Sequence, residues 1–289
     1  MNASRIALAA SLAFLSFGCT GQTGKVTVLM KDAPADVTAA VVTISEIDLV
    51  GSGGITVLST TRTTTNLLSL ANDTATLVKD VEVPVGTYSQ LRFVITGGYV
   101  EVGGVIYASS PTYEGLPSEV TVGGTLRMPS YAQSGLKVDL PGGAAVAGTA
   151  TTVLLVDFDV SQSFGQEAGS SGAWVMHPVV KATEFQLAGT VDVTLKLDTG
   201  VTLPGTATLG DFKAVLTPAS GGSTTLALTS VDATTSGASF KFLFPGDYTL
   251  TFNAPAAVNA FATTPPVPAT VTVTSGQATT ASFVLSAAH

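Results

Sequence analysis

Short apolar runs broken by polar punctuation dominate the chain, and no long stretch repeats its apolar positions with the 3.6-residue period of a helix. Val26-Thr27-Val28-Leu29-Met30 predicts a first strand, Ala39 to Leu49 a second, and Ile55 to Leu58 a third beyond the turn Gly51-Ser52-Gly53-Gly54. Further strands are predicted over Thr76 to Val83, Ser89 to Thr96, Tyr99 to Ala108, Glu119 to Met128, Gly135 to Leu140 and Thr151 to Val160. Trp174 to Phe185 closes this set. Gly97-Gly98, Gly103-Gly104 and Gly142-Gly143 read as turns, Ser109 to Pro117 as an excursion loop, and Asn66 to Leu70 as a single helical turn. Evenly spaced short strands with such breaks are the signature of a sandwich or barrel.

A second series starts near Leu187. Gly189 to Leu197, Phe212 to Leu216, Thr224 to Val231, Ala238 to Phe244, Tyr248 to Phe252, Ala269 to Thr274 and Thr279 to Leu285 form about seven strands, the content of one small sandwich. Thr264 to Pro268 is a loop, because prolines cannot donate ladder hydrogen bonds. The expected fold is therefore all-β, with two tandem β-sandwiches of transthyretin- or immunoglobulin-like type over residues 24–187 and 188–289.

Composition supports folding and narrows the partners. Apolar residues make up 45% of the 289 and charged ones only 11%, unlike a disordered chain. Twelve basic residues against a formal charge of −8 provide no phosphate-binding patch, so nucleic acid is not an expected partner. One cysteine allows neither a disulfide framework nor a thiolate metal cage.

That cysteine has another use. Residues 1–18 read as a signal peptide: Arg5 supplies the positive start, and Ile6 to Phe17 an apolar core shorter than the roughly 20 residues of a membrane span. Cys19 follows Ser16-Phe17-Gly18 directly. This resembles a bacterial lipobox, with the departure that Ser16 stands where leucine is commonest and Leu15 falls one place early. The resemblance implies that Cys19 is acylated and tied to the lipid bilayer through a short tether, residues 19–23. Several acyl chains, at about 0.8 kcal/mol per buried methylene, would make that anchor durable. An ordinary secretory signal with an incidental cysteine is the alternative. Thr20, rather than aspartate, follows the cysteine, which by resemblance implies the outer membrane in a host with two membranes.

Residues 24–187 resemble the bacterial family of domain of unknown function 4382. The segments that carry this are Lys31-Asp32-Ala33-Pro34-Ala35-Asp36, Val42 to Leu49, Asn66-Leu67-Leu68, Val85 to Arg92, and Asp157-Phe158-Asp159 leading to His177-Pro178-Val179. The resemblance implies an extracytoplasmic, β-rich lipoprotein. Residues 188–289 are similar to carboxypeptidase-regulatory or transthyretin-like sandwiches, through Phe244-Pro245-Gly246-Asp247-Tyr248-Thr249-Leu250 and Val271 to Gln277. Such domains act as spacers or adhesive modules. Pro84 to Tyr88 repeats the same Gly-x-Tyr corner in the first unit.

Three kinds of chemistry are open to these residues. Asp157 and Asp159 stand two apart on a strand, so both carboxylates share a face, and Glu46 and Asp48 stand likewise. With Asp32 and Asp36 in a proline-containing turn, convergence would give hard oxygen ligands for Ca²⁺, which takes six to eight at about 2.3 to 2.6 Å. The bland alternative has these acids capping turns or facing water. Hydrolysis needs a histidine in reach of a nucleophile, and with only His177 and His289, and no nucleophile-elbow or zinc motif, an enzyme is not expected. Tyr99, Tyr107, Tyr113, Tyr131 and Trp174 could stack on a glycan or anchor an envelope protein, or could simply fill the core. The reading that results is a non-enzymatic binding or structural module, with a Ca²⁺-dependent module as its rival.

Overall fold

The computed structural model describes residues 22–33, 37–70, 72–128, 133–148, 151–166, 171–219 and 221–289. The leader, Cys19, Asp36 and Tyr131 lie outside the described residues, as does the side chain of Asp32. The chain runs through β1 (Thr23–Ala33), β2 (Ala39–Gly51), β3 (Gly54–Ser59), β4 (Thr63–Asn66), β5 (Ala75–Pro84), β6 (Gly86–Val102) and β7 (Val105–Ala108). Then come β8 (Val122–Arg127), β9 (Leu136–Val146), β10 (Thr151–Asp159), the single turn α1 (Val160–Ser163), β11 (Phe164–Gln166), β12 (Trp174–Met176) and β13 (Val180–Glu184). The second series is β14 (Gly189–Leu197), β15 (Lys213–Pro218), β16 (Thr224–Ala227), β17 (Thr229–Ser230), β18 (Thr235–Leu243), β19 (Gly246–Asn253), β20 (Phe261–Thr264), β21 (Ala269–Val273) and β22 (Ala278–Ala288). Among the described residues no helix is long and apolar enough to cross a membrane.

Alternation decides which face turns inward. On β9, Leu136, Val138 and Leu140 are buried while Lys137 and Asp139 face water. Such faces close one core between the sheet β13-β10-β1-β5 and the nine-stranded sheet around β6 and β2, filled by Phe93, Phe158, Leu91 and Leu154. A separate core, with Phe212, Phe240, Leu250 and Leu285, lies between β17-β18-β14-β22-β20 and β16-β15-β19-β21.

The two sandwiches share one strand plan. β1 lies between β10, parallel, and β5, antiparallel; β14 lies between β22, parallel, and β18, antiparallel. In the facing sheets β6 separates β2 from β9, and β19 separates β15 from β21. The crossing from β5 to β6 and the crossing from β18 to β19 carry the same corner. The Tyr88 hydroxyl donates to the Pro84 carbonyl at 2.8 Å, and the Tyr248 hydroxyl to the Phe244 carbonyl at 2.9 Å, both rings being buried. A tyrosine reaching back to the backbone a few residues upstream fixes the angle between strands that belong to different sheets.

Several sequence expectations change in the fold. Gly97-Gly98 is not a turn: β6 runs straight through it, because a Cβ at 97 would stand 2.7 Å from the Tyr113 ring and one at 98 would stand 2.6 Å from the Val41 carbonyl. Gly142-Gly143 likewise sits inside β9, with φ of +82° and +75°, at a register shift against β6. The single strand expected over Trp174 to Phe185 breaks at His177-Pro178, and the chain there leaves one sheet (β12 on β8) for the other (β13 on β10). β4, β11 and β20 were not foreseen, and the second unit holds nine strands rather than about seven.

Candidate functional site

The acids proposed for Ca²⁺ fall on different sheets. Glu46 and Asp48 project from β2 toward Arg92, which sits directly across on β6. Arg92 Nε donates to Asp48 Oδ2 at 2.7 Å, Nη2 stands 2.5 Å from the same oxygen, and Glu46 is 3.7 Å away. Asp157, on β10, pairs instead with Lys31 of β1 at 3.2 Å. Asp159 caps α1: Oδ1 accepts from Ser161 Oγ (2.6 Å) and Gln162 N (3.2 Å), and Oδ2 from Gln162 Nε2 (2.6 Å). The backbone of Asp32 pairs opposite Phe158. Among the described side chains, Glu46, Asp48, Asp157 and Asp159 therefore do not come together as the expected Ca²⁺ site. Cations or hydrogen-bond donors already engage the four acids whose side chains are described, and among the described residues no three His, Cys, Asp or Glu side chains gather to hold a metal.

What Asp157 and Asp159 do share is the contact between the sandwiches. Lys31, largely buried, holds its amine 3.2 Å from Asp157 and 5.7 Å from the centre of the Phe244 ring, a cation–π contact reaching into the second unit. Gly222 (φ +73°) faces Asp159, and a Cβ there would stand 3.0 Å from Oδ2. The Asn72 amide, on a residue in the left-handed region (φ 58°), completes the joint. Its Nδ2 donates to the Ser239 carbonyl at 3.1 Å, and the Lys241 N–H donates to its Oδ1 at 2.8 Å. One side chain thus takes the place of a neighbouring strand along the open edge of β18. Phe185 and Phe242 pack at 5.8 Å beside it. Only about 40 Å³ stays open between the units there, so this is a joint and not a ligand pocket.

Burial pushes the Asp157 carboxyl above its ordinary range, against the pull of Lys31. The Tyr248 phenol beside it is pushed up to about 12 by burial and by the Asp157 charge. A carboxyl raised in the folded state keeps its proton after the unfolded chain has released its own, so stability falls as pH rises from the ordinary carboxylate value through the raised one. Thermal melts across mildly acidic pH are expected to show this slope in the native protein and to lose it in Asp157→Asn. An unchanged slope in the variant would contradict the assignment.

A cavity of about 570 Å³ opens in the second unit beside the end of β14. Leu197, Val201, Leu203 and Leu209 form its apolar wall, with the buried Ser236 hydroxyl and the Asp232 carboxylate at its polar side. Asp232 accepts from Thr234 N at 2.7 Å, and that bond holds its carboxyl below the usual range. Volume and lining suit a small-molecule site. Its only signal in the sequence is the unusually long strand-free stretch Asp198 to Thr208.

The aromatic side chains mostly fill space. Tyr99 and Tyr113 are buried in a small cluster on the outer face of β2 and β6, their rings 6.4 Å apart, with the Tyr113 hydroxyl 2.5 Å from Thr43 Oγ1. That contact holds the excursion loop against the sheet. Tyr107 and Trp174, half-buried, pack at 5.8 Å against the main core. His177 is exposed, and its backbone N–H bonds to Ser163 O at 2.7 Å.

Residues 23–178 match the family described as Domain of unknown function (DUF4382). No curated protein matches the chain. Among solved structures, similarity is distant. The minor pilin GBS52 of Streptococcus agalactiae is 9% identical, with 91% of this chain and 96% of that one covered and a TM-score of 0.24. BcpA, the major pilin subunit of Bacillus cereus, is also 9% identical, over 91% of this chain and 70% of that one, with a TM-score of 0.26. A C-terminal fragment of the pilus adhesin SpaC from Lactobacillus rhamnosus GG is 12% identical, over 92% and 96%, with a TM-score of 0.22.

Proposed function

The chain belongs to the DUF4382 family, and from its sequence and build we propose that it is a lipid-anchored, non-enzymatic binding or structural module of the bacterial cell envelope. Cys19, acylated, ties it to the bilayer on the extracytoplasmic side, at the outer membrane where the host has two membranes. The observation that carries this reading is the layout of β1. Thr23, four residues after Cys19, begins the strand, and Lys31, which grips the second sandwich, stands eight residues further along it. At about 3.3 Å per residue that is roughly 26 Å. The first unit is thus a stand, and the second, with the 570 Å³ cavity, is held away from the tether by the joint at Lys31 and Asn72. A spacer that presents an adhesive or ligand-binding sandwich, facing a glycan or another envelope protein, needs this build and no catalytic group.

Acyl labelling in the native host tests the anchor. Label is expected on the native chain, with the protein in the membrane fraction, and on neither count for Cys19→Ala. Equal labelling of the two forms, or native protein that remains soluble, would overturn the reading.

A further inference from the structure

Four segments meet at the end of the first sandwich where Thr23 emerges. Thr23 pairs with Pro84, Gly51 with Tyr88, and Gly86 with Val146, while Val85 N donates to the Gln22 carbonyl at 2.9 Å. The described residues at this end, 22–24, 51–57, 83–89 and 141–148, hold not one charged side chain, in a protein where 11% of residues are charged. Among the described residues, three of the seven large apolar side chains left exposed lie on these segments: Val85 (41% exposed) at the tip, then Ile55 (57%) and Val57 (50%) on the edge strand behind the Ser52-Gly53 turn. Charges begin just behind it: Lys25 and Glu82 stand opposite each other one step further in, Glu184 Oε1 accepts from Ala145 N at 3.2 Å, and Asp48 and Asp139 lie across from Val57 and Gln90. Lys31, Asp157 and Asp159 sit toward the opposite end of β1.

We infer that this uncharged end is a docking face for the bilayer surface, and that Val85 and Ile55 rest among the lipid headgroups. The inference depends on the anchoring of Cys19 proposed above. Thr23 stands four positions beyond Cys19, and four extended residues reach at most about 14 Å. An acylated chain therefore holds this end, and no other, within touching distance of the membrane. Two physical costs of such contact are small at this tip. Charged groups pressed against the headgroup boundary would lose hydration, and an acidic end would be repelled by anionic lipid; the protein carries −8 overall, yet residues 51–57, 83–89 and 141–148 contribute none of it, and the Glu184 carboxylate beside them is held by Ala145 N. Apolar tips on an uncharged end gain contact instead, as interfacial segments do. The result is an upright stance, with the second sandwich on the side away from the lipid.

The test uses the acylated full chain in phosphatidylethanolamine–phosphatidylglycerol vesicles containing headgroup-spin-labelled lipid. Fluorophores are placed one at a time through Val85→Cys, Ser52→Cys and, at the far end of β6, Val105→Cys, with the mass of the N-terminal lipopeptide read on each sample. Labels at 85 and 52 are expected to lose most of their emission, and the label at 105 to keep it. Adding Ile55→Asp and Val85→Asp to the Ser52 label separates docking from mere tethering. Quenching at 52 should then drop severalfold while the protein still floats with the vesicles. Equal quenching at 52 and 105, or quenching at 52 that ignores the aspartates, overturns the docked face and leaves the anchor standing. An unacylated Cys19 overturns both.

Discussion

Arg92→Met is expected to destabilise the first sandwich by about 3 to 5 kcal/mol, the loss found when one member of a buried ion pair is removed. Asp48 is wholly buried although it points to the outer face of its sheet. Both nitrogens of Arg92 converge on its Oδ2, and its Oδ1 has no partner among the described residues. Methionine keeps much of the stem that covers Asp48 and removes the charge and both donors, so the carboxylate is left in a dry site with Glu46 as an unhelpful neighbour. The pair is asymmetric. Arg92 keeps 26% of its side chain exposed, while Asp48 keeps none, so Asp48→Leu frees a guanidinium that water can reach and is expected to cost much less. The double variant should recover most of the loss, because an apolar pair of matching size avoids the desolvation that the ion pair must offset. Urea unfolding of the four forms gives the coupling directly. If Arg92→Met unfolds at the native midpoint, the ion pair is not what makes burial of Asp48 tolerable.

The strands were legible because alternation is a local property. Leu136, Val138 and Leu140 declare their face without any knowledge of what packs on it. Tyr88 and Tyr248 were legible as corners for the same reason, since the hydroxyl bonds four residues back. Position along one strand was also readable: Asp157 and Asp159, two apart, do reach one cleft. Which sheet a strand joins was not. Glu46 and Asp48 looked equivalent to Asp157 and Asp159, yet Arg92 lies 44 residues from Asp48 in the chain, and it claims the first pair on a different sheet. The glycines misled for a related reason. Gly97 and Gly98 are small because the Tyr113 ring and the Val41 carbonyl approach them, and both neighbours arrive from elsewhere in the sequence. Asn72 was invisible altogether, since its two bonds go to Ser239 and Lys241, across the boundary between units.

Lys31→Met should loosen the joint between the sandwiches by about 3 kcal/mol, through the same orphaned-charge effect. The amine of Lys31 is the hydrogen-bonded cation at Asp157 and also the charge over the Phe244 ring. Without it the Asp157 carboxylate, whose Oδ1 has no partner among the described residues, is left with the weaker pull of Lys181. The loss should be felt at the contact rather than in either core, because Val28 and Met30 still fill the first core from the neighbouring positions of β1. Two linked sandwiches then have less reason to melt together. Scanning calorimetry is expected to show one transition for the native chain and two for the variant, with Asn72→Ala widening the gap by freeing the edge of β18. The pH dependence should grow as well. Losing Lys31 removes the main influence that lowers the Asp157 carboxyl, so its proton is held to still higher pH in the folded state, and acid should restore part of the missing stability. A single transition at full stability for Lys31→Met, at neutral and mildly acid pH alike, would mean that the two units are joined by something other than this buried charge. The second sandwich would then have no fixed place relative to the first through Lys31.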